Sequence, residues 1–114
     1  MSLRARWAFI FVVLIACAGC SKEPYLVLGP GVSSCDDYVF AAKTAERKNA
    51  YVDWVAGYLV ARQFSLNRRL SEERLGGRDW RGTISNWLDG WCPAHPSTAV
   101  SDAAAALSDE LLGR

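Results

Sequence analysis

Histidine is nearly absent from this chain: there is one in 114 residues, His95, alongside four cysteines. One imidazole leaves no ligand set for a metal ion, because the cysteines pair more simply with each other. Charge of one sign is lacking too. Lys and Arg total 13 and Asp and Glu 12, so no basic face of the kind nucleic acid needs is indicated. No glycine-rich loop follows a strand pattern, and Gly76-Gly77 stands in a charged stretch, so a phosphate-cradling loop and a nucleotide cofactor are excluded. Adjacent acids at Asp36-Asp37 and Glu72-Glu73 diverge on a helix and make no convergent catalytic pair. A Cys–His couple needs a held thiolate and a base. His95 follows Cys92 in a turn between Pro93 and Pro96 and is poorly placed for that. No enzyme type, catalytic residue or cofactor emerges.

Long apolar runs are missing as well. The longest, residues 7–16 (WAFIFVVLIA), falls short of the roughly 20 residues of a spanning helix. It follows Arg4 and Arg6 and precedes the small residues Ala16, Ala18 and Gly19, the order of a secretory leader. Leu14-Ile15-Ala16-Cys17 resembles a bacterial lipobox, and so does the stretch ending at Cys20. Cleavage before Cys20 leaves an even pair of cysteines; cleavage before Cys17 fits the motif, and ordinary cleavage after Ala18 is the third route. We expect a lipoprotein-type leader over residues 1–20 with lipidation at Cys20 (or Cys17). A periplasmic address, anchored to the outer membrane through that lipid, follows. Export places the rest in an oxidising compartment, where Cys35 and Cys92 are expected to form one disulfide.

What is present is helical patterning. Residues 21–34 read as a tether interrupted by Pro24, Gly29, Pro30 and Gly31. A first helix is expected after Ser34, capped by it, with Asp36 and Asp37 at the positive end of the helix dipole and a stop near Asn49. A second, over about residues 50–64, repeats Val52, Val55, Ala56, Leu59 and Val60 on one side, with Tyr51, Trp54 and Tyr58 beside them. Gly57, in mid-helix, suggests close approach by another backbone. Residues 65–78 read as an exposed charged connection. The third helix, about residues 79–91, carries Trp80, Ile84, Trp87, Leu88 and Trp91 on one stripe. Ser97 or Ser101 is expected to cap a last helix whose apolar face is Val100, Ala104, Leu107 and Leu111. The expectation is an all-α, compact four-helix domain over residues 35–112, stapled by one disulfide.

Three stretches carry a family resemblance: Ser34-Cys35-Asp36-Asp37-Tyr38, then Trp54-Val55-Ala56-Gly57-Tyr58-Leu59-Val60-Ala61, then Trp87-Leu88-Asp89-Gly90-Trp91-Cys92 followed by Pro96 and an alanine-rich end. The layout resembles the HdeA/HdeB-type family of small exported helical proteins with one disulfide. The resemblance implies a periplasmic acid-stress chaperone, in which low pH loosens an assembly and exposes apolar surface to unfolding clients. Gly57-Tyr58-Leu59, the later Trp-Leu pair before His-Pro and the final helix are also similar to immunity proteins that block peptidoglycan-amidase toxins of type VI secretion. That resemblance implies one folded partner, bound by surface complementarity. A structural envelope lipoprotein is the third reading. Under each, the partner is protein and the membrane is met through the N-terminal lipid. Trp54 and Tyr58 are the candidate protein-binding residues, because Val55 and Leu59 already supply a buried stripe beside them.

Overall fold

Ser34 sets the start of the domain. Its hydroxyl accepts from the Asp37 amide at 3.1 Å and its own amide donates to the Asp37 carboxylate at 3.2 Å, a reciprocal capping box. The first helix, α1, runs from it over Cys35–Ala41. The computed structural model describes residues 26–113. The leader and the candidate lipidation residues Cys17 and Cys20 lie outside them.

The first helix is shorter than its sequence suggests. The Lys43 and Thr44 amides fall back on the Phe40 and Ala41 carbonyls, and Thr44 turns extended (φ −124°, ψ 137°). A new helix, α2, then occupies Ala45–Leu66, so residues 45–49 belong to it and not to α1. The break has a packing reason. A helix continuing to Asn49 would carry Val52, Val55 and Leu59 away from Tyr38, whereas the turn folds them back onto it in one buried cluster. Helix α2 ends where Asn67 adopts the left-handed conformation (φ 52°, ψ 43°), which asparagine tolerates better than most residues. Val60 does not join the buried line. It sits about 100° around the helix from Leu59 and is 53% exposed.

Helix α3 covers Trp80–Trp91 and α4 covers Val100–Leu112. On α3 the buried residues are Ile84 and Leu88, with Trp80, Trp87 and Trp91 half-buried at their flanks. On α4, Val100, Ala103, Ala104 and Leu107 enter the core, and Leu111 lies at its edge. Neither Ser97 nor Ser101 caps α4. Ala99 occupies the cap position, and the Val100 amide donates to the Ser33 carbonyl at 2.8 Å. The far end of α4 is closed by the charged connection. Arg68 donates to the Leu112 carbonyl at 2.7 Å, and Arg74 to the carbonyls of Leu111 and Glu110. Cations here satisfy orphan carbonyls and suit the negative end of the helix dipole. Residues 65–78 are thus partly docked. They form 3-10 turns at Glu72–Leu75 and, running on to Asp79, at Gly77–Asp79.

The result is an all-α domain of four helices, with no strand among the described residues. Cys35 and Cys92 are joined, fully buried, with Cα atoms 4.9 Å apart. The backbone around the bridge is laced as well. Cys35 donates to Thr98 at 2.7 Å and Asp36 to Pro96 at 3.0 Å, and Ser34 and Ala99 form an isolated antiparallel pair. The bridge encloses 57 residues of sequence separation, for which loop-closure entropy gives about 4 kcal/mol. Replacing both cysteines with alanine should therefore lower the free energy of unfolding by about that amount, read as a fall in the urea midpoint with a somewhat steeper slope, because the uncrosslinked unfolded chain is less compact. An unchanged midpoint would contradict it.

Candidate protein-binding cleft

Trp54 and Tyr58 lie one turn apart on α2, so their rings meet. The centroids are 6.0 Å apart and the planes 28° from parallel. Both are half-buried. What covers Trp54 is the tether. The indole Nε1–H donates to the Leu28 carbonyl at 2.9 Å, and the 3-10 turn Gly29–Val32 lies against the ring. Gly31 is required there, because a Cβ at that position would overlap the indole. Beside this contact opens a cleft of about 830 Å³ between the tether, α2 and α4, lined by Leu26, Leu28, Trp54, Tyr58, Arg62 and Asp102 among others.

The cleft thus has an aromatic wall, exposed apolar side chains at Leu26 and Leu28, and one charge of each sign. Arg62 and Asp102 were not singled out in the sequence, although Arg62 continues the Trp54–Tyr58 line at the same four-residue interval. The Nε of Arg62 is buried without a hydrogen-bond partner among the described residues. An apolar wall with a few placed polar groups is the general form of a binding pocket.

The remaining sequence candidates are structural. Cys35 and Cys92 are in the bridge, so Cys92 offers no thiolate to His95. His95 instead stacks on Trp91, centroids 3.7 Å apart, and Trp91 stacks on Trp87. His95 Nδ1 lies 2.8 Å from the Trp91 carbonyl and must carry the proton, since a carbonyl only accepts.

Among the described residues, side-chain hydrogen bonds that end on carboxylates join the helices. Tyr38 of α1 donates to Asp89 Oδ1 at 2.7 Å and Lys48 of α2 to Asp89 Oδ2 at 2.8 Å. Arg81 of α3 donates to Asp53 of α2 at 3.0 Å, and Trp87 of α3 to Glu110 of α4 at 2.7 Å. Asp89 ties three helices together. Burial, then the hydrogen bond and negative charge of Asp89, push the Tyr38 hydroxyl well above the ordinary tyrosine range. The fold therefore favours the neutral phenol. The stability this confers is fully present below the unfolded pKa of about 10 and is lost as pH rises past it. Tyr38→Phe should cost about 1–3 kcal/mol at neutral pH, as loss of a hydrogen bond to a charged group does. It should also shallow the fall in stability between about pH 9 and 11. Urea midpoints across that range check both, and an alkaline fall of equal steepness in the variant would contradict the assignment.

No protein-family model, curated protein or solved structure matches the chain, so its function has to be argued from the cleft and the ties around it.

Proposed function

We propose that the chain is an exported helical domain, lipid-anchored at the outer membrane, that binds protein segments in the Trp54–Tyr58 cleft in the manner of an acid-stress chaperone. The observation that carries this reading is the tether itself. A stretch of the chain's own backbone already lies on Trp54, with the Leu28 carbonyl on the indole N–H and the 3-10 turn Gly29–Val32 against the ring. A surface that accepts its own backbone through a main-chain carbonyl suits a segment of another chain.

What acid would act on is the interhelical ties, since those described are made by all four helices and end on carboxylates. Loosened helices would bare the apolar surface they now share. A second reading, an inhibitor of a secreted peptidoglycan-amidase toxin, is favoured by one feature: the aromatic wall is already formed in the folded domain. A preformed wall suits one folded partner at neutral pH.

The test is suppression of client aggregation by the oxidised protein at about pH 3 and about pH 7, where carboxylates are protonated and ionised respectively. Suppression confined to acid pH, and weakened by Trp54→Ala with Tyr58→Ala, is the expected result. No suppression at either pH would overturn the chaperone reading and leave the single-partner one.

A further inference from the structure

The connection between α2 and α3 arches over α2 and leaves a space beneath it. At one end the Leu70 amide donates to Gln63 Oε1 at 2.8 Å. Further on, Arg74 is held by the Leu111 and Glu110 carbonyls at the end of α4. Gly76, left-handed at φ 85°, then ends the first 3-10 turn and leads the chain toward α3. These ties fix the arch from its ends, so it does not collapse onto the helix. A cavity of about 230 Å³ remains between α2, the arch and Trp80. It shares no lining residue with the Trp54–Tyr58 cleft. Gln63 stands about 140° around the helix from Tyr58, so the two openings lie on different sides of α2.

The lining selects by chemistry. Leu59 is buried at its base, and Val60, Leu70, Leu75 and Trp80 are apolar walls. Gln63 supplies a placed polar group. A backbone amide only donates, so Gln63 must turn its oxygen to Leu70, which leaves its NH2 to donate elsewhere. Among the described residues lining the cavity, Glu72 is the one ionisable group. Its carboxylate opposes an anion, and an unpaired charge is costly to bring into an apolar site. An apolar cavity of about 150 Å³ takes up benzene. This one is larger, with room for a ring and a short substituent.

We propose that this cavity binds a small uncharged aromatic compound carrying one carbonyl oxygen. The ring lies against Leu59 and Trp80, and the oxygen accepts from the Gln63 amide. Few polar groups in a mostly apolar, preformed pocket is the usual arrangement of a small-molecule site. The proposal stands whether or not the cleft binds protein.

Acetophenone is the probe, with benzoate as its charged counterpart of similar size. Titrated into the full oxidised chain and followed by nuclear magnetic resonance, acetophenone should shift the amides of Leu59, Leu70 and Leu75 saturably. The Trp54 indole N–H, in the cleft, should not move. Benzoate should bind about tenfold more weakly or worse, because its charge would be buried beside Glu72. Ala56→Leu extends a side chain into the cavity. It should abolish the acetophenone shifts at an unchanged or higher Tm, since filling a void restores packing. Gln63→Glu keeps an oxygen for the Leu70 amide and removes the donors. It should weaken acetophenone several-fold while the Leu70 amide stays protected from exchange. The proposal is overturned by the absence of saturable shifts, by equal binding of benzoate, or by acetophenone binding that survives either substitution unchanged.

Discussion

Two sulfur atoms and the backbone bonds beside them hold the ends of this domain together. The Cys35–Cys92 bridge fixes the start of α1 against the end of α3. Around it, the amides of Cys35, Asp36 and Val100 reach the carbonyls of Thr98, Pro96 and Ser33. These bonds place the segment before α1 beside the segment before α4, and so decide where the tether runs. It runs over α2, across Trp54. A domain this small buries too little surface to be generously stable on its core alone, and the bridge limits the unfolded chain as much as it holds the folded one. The cleft is therefore a consequence of the staple and of the backbone bonds beside it, which together bring Leu28 to the indole.

Above that frame the helices are joined in two ways. Apolar contact among Tyr38, Val52, Val55, Leu59, Ile84, Leu88 and Leu107 supplies the largest favourable term and is indifferent to pH. The polar ties described between helices are donors meeting carboxylates at the rim. Asp89 is the most connected of them, since its two oxygens serve different helices. Such a division sets an apolar core inside a rim whose ties are hydrogen bonds to carboxylates.

Much of this was legible in the sequence. The pairing of Cys35 with Cys92 follows from the export that the leader-like start suggests and from parity. Ser34 with Asp37 three residues on is a cap by local chemistry alone, and the Ile84–Leu88 stripe of α3 is set by helical period. Trp54 and Tyr58 stood out because a second stripe beside a buried one has to face something. What was not legible depends on partners distant in sequence. The break after Ala41 comes from the need to fold α2 back onto Tyr38, and no glycine or proline marks it. Val60 resembles its buried neighbours in type and differs only in angle. Helix α4 lacks a side-chain cap because a carbonyl at Ser33 takes that role, and the arginines of the charged connection close its other end. Arg62 joined the cleft only once α4 and the tether had been placed.

The central claim, that the disulfide positions the tether and so forms the cleft, is tested most directly by proton exchange at the Trp54 indole. Its N–H is bonded to the Leu28 carbonyl, and slow exchange followed by nuclear magnetic resonance reports that bond. When the bridge is opened in the folded protein, the indole N–H should lose its protection while the amides of Val55 and Leu59, deep in α2, keep theirs. Equal protection of the Trp54 indole with the bridge open and closed would contradict the account, since the tether would then be held by something other than the staple.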